Sequence, residues 1–322
     1  MKRHLFAAMA FAGALAFSAA ASAQNWPERP VHFVVPYAPG GNADVVIRII
    51  AQSLQQKLHQ SFIVDNKGGA GGVIGALAVA HSPADGYTFL FSANGPILFA
   101  SEMVKEHPYK WNKDFETVAT VSFTPLVVLV NKNSPDKTFK DFIAHAKKAE
   151  GKMISAQGGI GSSNDLLSEY MKRLIKVKWT TVQYRGTTPA VNDLIGGHAD
   201  FTIDQVNSAS PFVKAGTLRA LAVSSDKRSP VLPDVPTMAE LGYPKLVAST
   251  FTAMMAPAGT PKAIVAKLNT ALADAVREPN VRQRIEALGS EINVMSPEKS
   301  AAFLAEESAK WTPIVRELTA KQ

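Results

Sequence analysis

The sequence predicts an α/β protein of two domains, and three observations carry that expectation. Strand-like and helix-like runs alternate almost from Gln24 onward, the pattern of folds that layer helices over largely parallel sheets. With a leader of 23 residues set aside, roughly 300 residues remain, more than one hydrophobic core usually organises. The stretch "VVPYAPGGNADVVIRII", residues 34–50, runs from an apolar strand through a Pro-Gly-Gly turn into a segment whose Val45, Val46, Ile49 and Ile50 recur at helical spacing. A loop with so few side chains lays its backbone bare, and the question is what approaches it.

In chain order, residues 31–35 read as the first strand and 43–59 as its helix. Residues 62–65 follow as a strand. A helix from about 70 to 81 stops at Ser82-Pro83, and Asp85-Gly86 turns the chain into a strand at 87–91. Residues 118–130 hold two apolar strand-like runs broken by Thr124-Pro125, where the chain is expected to pass from one domain to the other. The alternation then restarts, with strands at 153–156, 179–184, 200–203 and 218–223 and helices at 163–174 and 189–195. Pro230, Pro233 and Pro236 mark an irregular stretch, and 249–256 reads as a strand leading back. Pro257-Ala258-Gly259-Thr260-Pro261 opens a helix with Ile264, Leu268 and Leu272 on its apolar face. Helices at 281–288 and from 297 to about 321 complete the chain. The expected division is 24–124 with 251–322 as domain 1, and 125–250 as domain 2.

Lys2 and Arg3, an apolar run over residues 5–20 and Ala21-Ser22-Ala23 before Gln24 have the layout of a secretory signal peptide. The run of 16 residues falls short of the roughly 20 that span a bilayer, so cleavage, a soluble mature chain and a periplasmic location are expected. Removing Lys2 and Arg3 with the leader lowers the formal charge from +7 to +5. Lys147, Lys148, Lys172 and Arg173 lie among acids without a ladder of aromatics, which argues against nucleic acid as a partner. The chain has no cysteine, so its stability rests on a core and not on disulfides.

A glycine loop between strand and helix turns backbone N–H groups toward an anion, with the helix dipole adding a favourable field. "PYAPGGNAD" has this form, and so does "SAQGGIGSSNDLL", residues 155–167. Nucleotide motifs fail when spelled out: there is no G-x-x-x-x-G-K-[ST], and "KGGAGGVIGA" does not space its glycines as G-x-G-x-x-G. No G-x-S-x-G elbow surrounds Ser162 or Ser163. The seven histidines stand singly, with no H-E-x-x-H. No catalytic residue, metal site or cofactor is expected, and an exported hydrolase or isomerase using Ser162 or Asp44 is the competing reading. Asp44 and Arg48 stand four apart on one helix, the spacing of a first-turn acid paired along the helix, with direct ligand contact by Asp44 as the alternative.

"WPERPVHFVVPYAPGGNADVVIR", "GAGGVIGALAVAHSPADGYTFLFS", "VQYRGTTPAVNDLIGGHADFTID", "GTLRALAVSSDKRSPVLPDVPTMAE" and "FTAMMAPAGTPKAIVAKLN" together resemble the ordered signatures of the tripartite tricarboxylate transporter solute receptors, the Bug proteins. The resemblance spans essentially the whole mature chain. It implies a two-domain periplasmic binding protein of the Venus flytrap type, likewise α/β, that binds a small organic carboxylate across a cleft and performs no reaction. It implies partners among transporter subunits or a sensor, and a monomer. Matched residue by residue, it places first-loop contacts on Tyr37, Pro39, Gly40, Gly41 and Asp44, second-loop contacts on Gly161, Ser162 and Ser163, and an acidic position near the far end of the pocket on Asp204. Three residues depart from the family's usual choices: Asn42, where a small residue or proline is common, Ala43, where threonine is frequent, and Asp165, where histidine is usual. Asp165 is expected in the first turn of its helix. There it either stabilises the helix start or faces the cleft and disfavours a second ligand carboxylate.

Overall fold

The computed structural model describes residues 25–104, 107–184 and 186–320. The leader and its cleavage site lie outside the described residues. β1 (Val31–Val35) pairs in parallel with β2 (Phe62–Asn66) on one side and β3 (Thr88–Ala93) on the other. α1 (Asn42–Leu58) connects β1 to β2, and α2 (Val73–Ala80), preceded by a 3-10 turn at Ala70–Gly72, connects β2 to β3. The helical spacing of Val46, Ile47, Ile50 and Leu54 puts one face of α1 into the core against Phe33, Phe62 and Phe89. Each side chain buried in this way contributes about 1.5–3 kcal/mol.

The next strand, β4 (Phe115–Asn131), is one continuous element of 17 residues. Its first part pairs antiparallel with β9 (Ser249–Pro257), from Phe115 opposite Pro257 to Pro125 opposite Ser249. From Leu126 onward it pairs antiparallel with β7 (Phe201–Gln205) and β8 (Leu218–Val223). The expected break at Thr124-Pro125 is therefore a change of partner within a single strand. Proline lacks the ladder N–H, and here it stands where the strand leaves one set of partners for the other.

α3 (Phe139–Ala149) follows, then β5 (Ile154–Gln157), which lies in parallel between β6 (Thr180–Gln183) and β7. α4 (Ser163–Ile175) links β5 to β6, and α5 (Thr187–Gly196) links β6 to β7. α6 (Val206–Lys214), which the sequence pattern did not announce, joins β7 to β8. The strand order is β2-β1-β3-β9-β4-β7-β5-β6, with β8 also on β4. Because β9 is antiparallel to both β3 and β4, the sheets are mixed and not largely parallel. The outer strands obey the βαβ rule, while the long inner strands run against them.

The second set of strands carries its own core, where Phe142 and Trp179 meet Phe201 at ring distances of 4.9 and 4.8 Å. α7 (Lys262–Arg277) and α8 (Pro279–Glu286) return to the first core, and the two-residue β10 (Glu291–Ile292) adds to β4. α9 (Pro297–Thr319) touches both halves: Trp311 packs into the core with Phe251 and Leu304, and its ring stands edge-on to Tyr170 of α4 at 5.7 Å. Among the described residues no helix is long and apolar enough to cross a membrane. The result for the site is that α1 and α4 both begin just beyond the carboxyl ends of parallel strands, one in each half, where α/β folds open a crevice.

Candidate ligand-binding site

The first loop leaves β1 through Pro36 and Tyr37. Tyr37 turns its ring into the core, its hydroxyl faces Ser92 and the Ala93 backbone, and burial pushes its pKa up. Pro39, Gly40 and Gly41 are exposed. Gly40 has a φ of 86°, a left-handed conformation that glycine adopts without strain. Its N–H donates to Asp44 Oδ2 at 2.9 Å. Asp44 Oδ1 accepts from Arg48 Nε and from Asn66 Nδ2, each at 2.9 Å, and Asn66 Nδ2 also reaches the Tyr37 carbonyl. Asp44 is buried, which by itself would raise its pKa, but the donors and the Arg48 charge outweigh that and hold it below the usual carboxylate range. The carboxylate thus fastens the loop to its own helix. Gly41 caps α1 without any side-chain bond, so the N–H groups of Asn42, Ala43 and Asp44 begin the helix with no intrahelical acceptor.

The second loop repeats the device. Gly161, at φ 73°, donates its N–H to Asp165 Oδ2 at 3.0 Å, and Asp165 Oδ1 accepts from Gln183 Nε2 at 2.7 Å. Burial is the larger influence here and raises the Asp165 pKa despite those two donors. Of the two expectations for Asp165, the geometry matches the first: its oxygens bind its own loop and Gln183. Ser162 caps α4, its Oγ accepting from the Asp165 N–H at 3.2 Å.

Side chains at the two helix starts reach across between the halves. Ser163 Oγ donates to Asn94 Oδ1 just beyond β3, and a Cβ added at Gly95 would stand 3.1 Å from the Gly161 carbonyl oxygen. In the reverse direction, Asn42 Oδ1 accepts from Asn207 Nδ2 of α6, while Asn42 Nδ2 donates to Thr124 Oγ1 at 3.1 Å. Each loop's first helical residue therefore reaches an asparagine of the opposite half. Asp204, near the end of β7, is 1% exposed. It accepts from the Gln205 N–H at 2.8 Å, Ser208 Oγ at 2.7 Å and Asn164 Nδ2 at 3.4 Å, and burial lifts its pKa to about 6 against these donors. Asp204 is thus joined to the second loop through Asn164.

Asn94, Asn164 and Asn207 were not singled out from the sequence. The available signal was an amide at the end of an apolar strand or in the first turn of the helix after it, as in "FSANG" and "FTIDQVN". A separate open groove of about 380 Å³ runs along α1 beside Arg48, Gln52, Gln56, Phe62 and Val64. It meets the loop network only at Arg48.

The sequence model of the family described as the tripartite tricarboxylate transporter family receptor matches residues 46–320. The chain belongs to this family. Protein BugT of Bordetella pertussis is 37% identical over 312 residues, covering 97% of this chain and 96% of BugT. The solved periplasmic binding protein BugD is 34% identical with a TM-score of 0.82, over 91% of this chain and 98% of BugD. MatC from Rhodopseudomonas palustris, solved with bound malate, is 34% identical with a TM-score of 0.83, over 90% of this chain and all of MatC (100%). Rpa4515 of the same organism, solved with adipate, is 33% identical with a TM-score of 0.86, over 92% and 98% of the two chains. The fold is accordingly that of a two-domain periplasmic binding protein.

Proposed function

We propose that the protein is a periplasmic receptor that holds a small organic carboxylate between its two halves, for delivery to a tripartite tricarboxylate-type transporter or to a sensor. The observation that carries this reading is the pair of glycine loops at the starts of α1 and α4, each joined to the opposite half by its first helical residue, with α1 starting free of any side-chain cap. Each helix start contributes roughly 0.3–1 kcal/mol toward an anion, and each N–H bond to a charged acceptor about 1.5–3 kcal/mol. A few such bonds reach micromolar affinity, near −8 kcal/mol. The malate and adipate bound by two relatives support the ligand class.

In this reading Gly41, Asn42 and Ala43 present N–H groups to the carboxylate, with Pro39 and Gly40 shaping the approach. Asp44 and Asp165 hold the loops, Tyr37 backs the first loop, and Gly161, Ser162 and Ser163 form the opposing wall. Asp204 lies behind that wall. Residues 24–124 with 251–322 form one domain and 125–250 the other, with crossings near Pro125 and Thr250. Residues 1–23 are removed on export, and the mature receptor is a monomer. The hydrolase or isomerase reading loses its candidates. Asp44 already accepts from three donors, and among the described residues neither Ser162 nor Ser163 is hydrogen-bonded to a histidine.

Native mass spectrometry of gently purified protein tests the proposal. A small acid should co-purify and come back unchanged after incubation. Conversion of the acid would overturn it, as would no calorimetric response to any mono-, di- or tricarboxylate.

A further inference from the structure

We infer that Asn164 is a specificity residue of the cleft, and that the preferred ligand carries a hydrogen-bond donor, a hydroxyl or an ammonium group, in addition to its carboxylate. The inference rests on the carboxylate-receptor reading above. Asn164 is the second residue of α4, between Ser163, which bonds across the cleft, and Asp165, which holds the loop. It is 1% exposed. Its Nδ2 points to Asp204, where the Gln205 N–H and the Ser208 hydroxyl converge as well. An ionised carboxylate only accepts, so the amide must face Asp204 with its nitrogen.

That orientation turns Asn164 Oδ1 the other way, and this oxygen is buried with no hydrogen-bond partner. The neighbouring donors are already engaged: the Ser163 hydroxyl with Asn94, the Gly161 N–H with Asp165 and the Ser208 hydroxyl with Asp204. The same shortage recurs at Gln157, the fully buried last residue of β5, directly before the glycine loop. Its Nε2 donates to Ser155 Oγ at 2.7 Å and its Oε1 has no partner. The second half of the protein thus holds two buried acceptors in need of donors, one of them on the residue that bonds Asp204. The first loop presents donors in need of an acceptor. A ligand with no donor group besides its carboxylates would leave Asn164 Oδ1 unpaired, whereas a hydroxyl or ammonium group satisfies it.

Calorimetry with matched probes decides the matter: propionate, lactate and alanine at one length, and succinate, malate and aspartate at the next. In at least one series the wild-type protein should bind the hydroxy or amino acid at least about tenfold tighter than the unsubstituted one. Asn164→Leu, close in size but without the oxygen, should reduce that ratio to within about threefold. Asn164→Ala serves the same comparison if the leucine variant misfolds. Equal or weaker binding of every substituted acid, or a ratio unchanged in a folded variant, overturns the inference and leaves the receptor reading standing. No binding of any carboxylate by the wild-type protein overturns both.

Discussion

The first and second loops hold their glycines in the same way, by a backbone N–H donated to an aspartate four residues on, yet the two aspartates live in opposite electrostatic surroundings. Asp44 has the Arg48 guanidinium and Asn66 beside it and remains easily ionised in spite of burial. Asp165 is also buried, has Gln183 in place of a cation, and is hard to ionise. The caps differ too, since α1 starts at a bare glycine and α4 at a serine whose oxygen already serves the Asp165 N–H. The lesson is that similar sequence patterns built two helix starts that differ at the third N–H, uncapped at Asp44 and taken by the Ser162 oxygen at Asp165. This asymmetry suits a ligand with unlike ends.

The largest expected break of the comparison is Gly41→Val. The backbone there has an ordinary extended φ of −73°, and a Cβ would meet nothing nearer than the Ala38 carbonyl at 3.8 Å, so the fold should tolerate valine while the side chain covers the bare helix end. Carboxylate affinity should fall by at least about a hundredfold, roughly 2.7 kcal/mol, with an unchanged melting temperature. Unchanged affinity by calorimetry would mean that the glycine serves only the turn. Gly161→Val should instead loosen the protein, because its φ is positive, a conformation that a β-branched residue adopts only under strain.

Next in size is Asp204→Asn, which concerns the wall behind the second loop. At pH values below about 3.8 a carboxyl here is protonated in both the folded and the unfolded chain. As pH rises toward the folded value of about 6, the unfolded chain ionises first and the native state loses ground. The variant should therefore match wild type at pH 3.5 and exceed it at pH 7 by up to about 3 kcal/mol. Denaturant titrations at the two pH values check this, and an equal gap at both would remove the titration argument.

A direct comparison of the aspartates follows. Asp44→Asn should cost about 1.5–3 kcal/mol at pH 7 through its charged hydrogen bonds, and Asp165→Asn should cost little or add slightly. The sign follows from the shifts. Asp44 is lowered, so its contribution is present at neutral pH and is lost as pH falls through its folded value. Asp165 is raised, so its ionisation opposes folding at neutral pH and acid relieves it. Equal losses in urea melts of the two variants would contradict this difference. The smallest effect is expected from Asn42→Ala, which removes the bonds to Asn207 and Thr124. Ligand affinity should drop by about fivefold, near 1 kcal/mol, and small-angle scattering should show a more open average shape.

Much of this was legible in the sequence where a local rule governs. Helical spacing in "ADVVIRII" and the glycines between strand and helix placed the first loop, and the same signals placed the second. β4 was legible as two apolar runs but not as one strand, because Pro125 reads as a breaker until its place between two sets of partners is known. α6 escaped because "VNSASPFVK" mixes small, polar and proline residues, and its helix is held by Val206 and Ala209 packing onto β4 and β8. The family pattern pointed to Asp165 as unusual, but its partner Gln183 lies on a strand whose neighbourhood only the tertiary structure reveals. The same holds for Asn94 and Asn207, each of which gains its meaning from the opposite half.

The central claim is that a carboxylate sits between the two loops, and an amide-resolved NMR titration tests it most directly. Added ligand should shift the backbone N–H signals of Gly41, Asn42 and Ala43 first and most strongly, together with those of Ser163 and Asn164 on the facing wall. Saturable shifts confined to the groove beside Gln52 and Gln56, with both loops unmoved, would contradict the account.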